Sequence, residues 1–186
     1  MAEDFLKKNN SGNSISLDLS ALGEAGQQSI GPEAEDKPVL TNPISASIVG
    51  VDLRLNTNQL NTNKDDETKK FYRAIFTVET KFVHPETKEE VISKDNYSGL
   101  RYYPQIAEDG SIVKDGNGQP VLDHFWVGDN SYCGKLLALV QKVDEKVLTY
   151  TDFFAFFTPG KMVTIKTEFP QFNGKVSKKQ VIQSFL

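Results

Sequence analysis

The chain is poor in the residues from which most catalytic, metal-binding and membrane-spanning proteins are built. Its 186 residues include one cysteine, Cys133, and two histidines, His84 and His124. A single cysteine excludes an intramolecular disulfide framework, and a reducing cytoplasm is the expected setting. The histidines stand forty positions apart, so no pair of His and Cys has zinc-ligand spacing. His84, before Pro85, reads as a turn residue, and His124 as a residue flanking a strand. No apolar run approaches the roughly 18 to 20 residues that span a bilayer. Met1 to Lys8 lacks the apolar stretch of a secretory signal. There is no G-x-S-x-G elbow, no P-loop and no G-x-G-x-x-G, and Asp65-Asp66-Glu67 lacks the alternating oxygens and glycine of a calcium loop. The expectation is a soluble, non-catalytic protein with no cofactor, no bound metal and no membrane partner; a metal on the purified protein would reopen an enzymatic reading.

Charge is unevenly spread. The net charge is -4, and residues 1–40 hold seven acids against Lys7, Lys8 and Lys37, which accounts for all of it. Residues 160–186 carry Lys161, Lys166, Lys175, Lys178 and Lys179 against Glu168 alone. Local field, and not the total, is what a polyanion meets. Residues 7–40 are rich in Asn, Ser, Gly, Gln and Glu, too polar to offset their ordering entropy. Residues 1–40 are therefore expected to be a disordered acidic arm, with Ile15, Leu17 and Leu19 as a candidate strand, and residues 41–186 a β domain.

From Ile44 the pattern has period two. Ile44, Ala46 and Ile48 alternate with serines, then the parity switches to Val51, Leu53 and Leu55, which predicts a bulge or bend at Val49-Gly50. Residues 56–70 read as a polar loop. Phe71 to Val83 alternates again, with Tyr72, Ala74, Phe76, Val78 and Phe82 on one face. After a turn at His84 to Lys88, a third strand is expected over Val91 to Tyr103. Asp109-Gly110 and Asp115-Gly116-Asn117-Gly118 predict a projecting hairpin over 104–122, and His124 to Val127 a short strand. Cys133, Leu136, Leu137 and Val140 fall at helical spacing behind Asp129, Asn130 or Ser131 as cap, with Cys133 a buried apolar position. Thr151 or Asp152 is expected to cap a short helix through Phe157, whose four phenylalanines read as core or as an oligomer contact. Met162 to Phe169, a turn at Gln171 to Lys175, and Val176 to Phe185 complete the order: three strands, a helical stretch, two strands. That is the order of a five-stranded OB-like barrel with an inserted hairpin.

Cations interleave with aromatics in three places: Phe71, Tyr72 and Arg73; Arg101, Tyr102 and Tyr103; and Phe125-Trp126. Flat side chains for base stacking and cations along a backbone track are what sequence-independent single-strand binding requires. Alternation turns Phe71, Arg73 and Lys81 away from the core and puts Arg101 and Tyr103 on one face. The candidate nucleic-acid contacts are Phe71, Tyr103 and Trp126 for stacking, with Arg73, Lys81, Arg101, Lys161, Lys166 and Lys175 for phosphate.

The C-terminal half carries Trp126-Val127-Gly128-Asp129, Gly134-Lys135-Leu136-Leu137, Pro159-Gly160-Lys161-Met162-Val163-Thr164-Ile165-Lys166, Phe172-Asn173-Gly174-Lys175 and a closing Ile182-x-x-Phe185. Over roughly 120–186, and more loosely 44–83, it resembles small bacteriophage-encoded single-stranded DNA-binding proteins. The resemblance implies an OB-fold, action in phage or mobile-element DNA replication or recombination, and a place in the host cytoplasm. Its implied partners are single-stranded DNA and replication or recombination proteins, while a homo-oligomer is the expectation that the phenylalanine cluster raises. Many single-strand binders end in an acidic tail. Here Val181 to Leu186 carries no acid and the acidic segment is N-terminal, so recruitment through such a tail is not implied. The competing reading is a virion structural or decoration protein working through protein-protein assembly. An acidic arm is expected to screen a cationic groove when DNA is absent. Removing residues 1–40 then tightens DNA binding at low salt in an anisotropy titration, and an unchanged affinity rules screening out.

Overall fold

A computed structural model describes residues 38–61, 69–172 and 174–186, without the side chains of Asn61, Phe172 and Lys175. The arm expectation for residues 1–37, the Ile15/Leu17/Leu19 strand and the Asp65-Asp66-Glu67 loop lie outside the described residues. The protein is mostly β: a seven-stranded antiparallel sheet with two helices among the described residues.

β1 (Ile44–Asn61) is an eighteen-residue strand. β2 (Phe71–Val83) lies antiparallel to it, and their register slips between Ile48 and Gly50. The slip is the bulge that the parity switch predicts. It keeps Ala46 and Ile48 in the core before it, and puts Val51, Leu53 and Leu55 opposite Val78, Phe76 and Ala74 after it. One expectation is corrected: residues 56–61 are strand, not loop. Asn56 and Asn61 pair with Arg73 and Phe71 of β2 across a second register slip, so the polar composition hides a strand and not a loop.

On β2 the alternation holds throughout, with Tyr72, Ala74, Phe76, Val78, Thr80 and Phe82 buried. The expected third strand is divided into β3 (Glu90–Tyr97) and β4 (Leu100–Pro104), both paired with β2. Tyr97 faces Phe76 while Arg101 faces Arg73, so one extra residue is accommodated at Ser98-Gly99. Gly99 has φ +94°, a conformation open to glycine, and a Cβ there would meet the Ser131 Cβ at 2.1 Å. The split is therefore a bulge locked against the next helix.

The expected single hairpin is two. Val113 N donates to Gln105 O and Val121 N to Val113 O, each 2.9 Å, so residues 105–121 fold into consecutive tight hairpins. Each glycine-containing turn closes its own: Asp109 Oδ1 accepts from Ser111 N, and Asp115 Oδ1 from Asn117 N and Gln119 N. β5 (Leu122–Val127) then pairs with β4.

α1 (Tyr132–Val143) is capped by Ser131, whose Oγ accepts from Gly134 N at 3.0 Å, and buries Cys133, Leu136 and Val140. Burial pushes the Cys133 thiol up to about 12. α2 (Tyr150–Ala155) is capped by Thr149, not by Thr151 or Asp152. Asp152 is the reciprocal member of a capping box, its Oδ2 accepting from Thr149 N at 3.0 Å. Phe153 and Phe157 are buried and Phe154 and Phe156 pack against them, so the cluster is core.

β6 (Met162–Glu168) pairs with β1 over Ile44–Ser47, and β9 (Lys179–Phe185) pairs with β6. Between them β7 (Gln171–Phe172) and β8 (Lys175–Val176) make a minimal hairpin, so the expected last strand starts three residues late. The sheet order is β5-β4-β2-β1-β6-β9, with β3 also on β2. No ladder joins β3 to β9, so the barrel is not closed. Side chains cross the gap instead: Ile182 N donates to the Tyr97 hydroxyl at 3.1 Å, Gln180 N to Asp95 Oδ1 at 3.3 Å, and Lys179 Nζ to Asn96 O.

Residues 38–40, assigned above to the arm, belong to the domain. Leu40 is buried, its N–H donates to Thr167 Oγ1 at 2.9 Å, and Pro38 O accepts from Gln180 Nε2 at 3.1 Å. A truncation that spares the core stops at residue 37. Gly134 faces a tighter constraint, since a Cβ there would meet Gly128 O at 2.2 Å. Gly134→Ala is expected to lower unfolding free energy by about 1–3 kcal/mol. Gly116→Ala, with open space around it, should be near neutral in the same urea titration.

Candidate nucleic-acid interface

The outward residues of β2, β4 and β5 form two rows across the sheet. Register places Arg73, Arg101 and Trp126 directly opposite one another in the first row. The second row is Phe71, Tyr103 and His124, with the Phe71 and Tyr103 rings 5.7 Å apart and Tyr103 stacked on His124 at 4.7 Å and 6°. The Arg101 guanidinium ties the rows together, lying 4.3 Å from the Phe71 ring centre and 4.9 Å from that of Trp126. Such contacts hold a long side chain flat against the sheet with its N–H edges outward. Trp126 remains 44% exposed.

The alternating residues of the same strands point into the core. Tyr72 and Tyr102 stack there at 5.0 Å, and Phe125 packs on Tyr150 and Phe154. The outer grid is thus fixed from behind by aromatic packing. Beside it, the bulge at Ser98-Gly99 opens a recess of about 270 Å³ with Arg73 and Arg101 on its lining. A shallower recess of about 610 Å³ separates Lys70 from the first small hairpin at Asp109 to Ile112, which places that hairpin beside the start of β2.

Electrostatics distinguish this end of the sheet. Like charges directly opposite on neighbouring strands repel. Arg73 and Arg101 are so placed, and among the described residues no carboxylate pairs with either. At the other end of β2 the cations are neutralised, Lys81 by Glu90 at 2.8 Å and Lys94 by Glu79 at 3.0 Å.

Five of the nine expected contacts therefore come together: Phe71, Arg73, Arg101, Tyr103 and Trp126. The other four do not join them. Lys81 is opposite Ser47 of β1, and Lys166 follows Ile165, which is opposite Ile44. Arg73 is opposite Asn56, twelve positions from Ile44, or about 40 Å of strand at ~3.3 Å per residue. Lys161 rests on the Phe156 ring, 3.1 Å from its centre, and its partial burial lowers its pKa. Lys175 lies on β8, its side chain outside the described residues.

His124 was missed as a member of the set. The available signal was its spacing, two residues before Trp126 on a strand, which puts both on one face. His124 Nδ1 also lies 2.6 Å from Asp123 Oδ2, while His84 is a turn residue, its Nδ1 accepting from Glu86 N at 3.0 Å.

Comparison with known proteins finds no matching family model, no matching curated protein and no matching solved structure.

Beneath the grid, the Tyr102 hydroxyl is buried with no hydrogen-bond partner among the described residues, and burial pushes its pKa up to about 12 from 10.0. Tyr97 is raised as well, again by burial. A raised folded pKa gives stability that is whole below the unfolded value and is lost as pH climbs through the folded one. The domain should therefore weaken above pH 10. Tyr102→Phe removes an unsatisfied group, so it is expected to raise stability at neutral pH by about 1 kcal/mol and to flatten the alkaline loss. Urea unfolding across that range reads both effects.

Proposed function

We propose that the protein is a non-catalytic single-stranded DNA-binding protein, built on an OB-type half-open barrel and acting in DNA replication or recombination of a phage or mobile element. The observation that carries the reading is the two-row grid, in which two guanidiniums without carboxylate partners among the described residues are interleaved with four rings on an outward sheet face. A strand passing over it sets phosphates against Arg73 and Arg101 and unstacked bases against Trp126, Tyr103 and Phe71. A duplex keeps its base faces buried in its own stack, so the rings favour single strands. The OB reading is supported by the pairing pattern: β1 shared between β2 and β6, β3 on β2, β9 on β6, and α1 and α2 between the two groups. The host cytoplasm as location, and replication or recombination proteins as partners, belong to the same proposal.

An assembly role has one observation in its favour: Val51, Leu53 and Leu55 are 42%, 36% and 42% exposed on β1.

Fluorescence anisotropy with a labelled oligo-dT, at low and moderate salt and with a duplex control, separates the two readings. Tight single-strand binding that weakens steeply with salt is expected; no binding at low salt sinks the proposal in favour of assembly. Trp126→Ala should cost about 1–3 kcal/mol of affinity. Loss of Arg73 or Arg101 should reduce the salt slope by about 0.7 each. Lys81→Ala and Lys161→Ala, lying away from the grid, should change affinity little.

A further inference from the structure

We infer that the protein self-associates into a twofold dimer by pairing the outer edge of β1, centred on Leu53, with the same edge of a second copy. On its other side β1 is paired with β2 from Ser47 to Asn56, but β6 covers only Ile44–Ser47, and Ile48 makes the last bonds on that side, to Gly160 and Lys161. From Gly50 onward this edge has no strand beside it among the described residues. An unpaired, apolar strand edge is a template for another chain.

The residues along that edge say which chain. In an antiparallel pairing about Leu53, Val51 stands opposite Leu55 of the second copy, Leu53 opposite Leu53, and Asp52 opposite Arg54. Opposite charges therefore meet on one face and apolar side chains meet on the other. That self-complementarity is what a twofold interface demands. Within one chain, Arg54 Nε lies 2.5 Å from Asp52 Oδ2, with both side chains largely in water. An exposed pair of this kind contributes little and exchanges readily for the cross-strand one. The apolar residues lie on the face shared with Val78, Phe76 and Ala74, yet remain about two-fifths exposed; the second copy's Leu53 and Leu55 would cover them.

Because strands paired this way continue one sheet, the two Arg-aromatic grids would share a face, in the order β5-β4-β2-β1, then β1-β2-β4-β5 of the second copy. The two β4 strands would then be about 24 Å apart, five strand spacings of ~4.8 Å. The dimer itself does not rest on the DNA-binding reading.

Sedimentation of the full chain over a range of concentrations tests it. A dimer is expected for the wild type, weakened on the order of tenfold or more by Arg54→Asp, which sets acids against acids. The double variant Asp52→Arg with Arg54→Asp restores the complementarity and should restore the dimer. In a Leu53→Cys variant treated with oxidised glutathione, the two introduced thiols face each other and should crosslink. A Leu55→Cys variant, facing Val51, should not. A monomeric wild type, a dimer indifferent to Arg54→Asp, a double variant no better than the single one, or crosslinking that does not prefer position 53 would each overturn the inference. DNA binding by a monomer, or a dimer that ignores DNA, would tell the two proposals apart.

Discussion

Phe76 is where the structure is tied together. Its ring lies between 5.2 and 6.2 Å from those of Tyr97, Phe153, Phe154 and Phe157, so a single side chain on β2 touches β3 and the short helix α2 with its following turn. Edge and tilted ring contacts of this kind add to simple area burial. They also fix α2, only six residues long, which could not hold its shape without tertiary contacts. The strand that carries Phe76 inward carries Phe71 and Arg73 outward, and it is flanked by β1 on one side and by β3 and β4 on the other. The position of the outward grid is therefore set by core packing and not by its own polar contacts.

Side-chain alternation made much of this legible in the sequence. The parity of Phe71 to Val83, the switch at Gly50, the apolar spacing of α1 and the separation of Arg101 and Tyr103 from Tyr102 all follow from local periodicity. What periodicity cannot carry is register. Lys81 and Arg73 share a face of β2 and look equivalent in sequence. Only their neighbours on β3 and β4 make one a neutralised cation beside Glu90 and set the other directly opposite Arg101. Lys166 and Lys161 were grouped with them by charge, but strand order puts them, with Lys81, at the end of β1 away from Arg73. The hairpin region failed differently: two glycine turns six residues apart were combined into one hairpin, when each satisfies its own backbone through an Asp side chain. The cap of α2 was misplaced because Thr149 and Thr151 are chemically alike, and only the reciprocal bond from Asp152 separates them.

If the grid binds a strand as proposed, Gly99 has a consequence for the speed of that encounter. The bulge it permits is bolted to the start of α1: its bare Cα admits Ser131, and Cys133 N donates to Ser98 O at 3.0 Å. Two residues later the chain presents Arg101. The strand bearing Arg101 and Tyr103 is thus clamped at its root to α1, while its far end leads into the two small hairpins, closed by their own backbone bonds and by Asp109 and Asp115. A platform fixed in this way gives up little conformational freedom when a ligand settles on it. Association at such a surface is governed by diffusion and charge, and lifetime by the contacts that form afterwards.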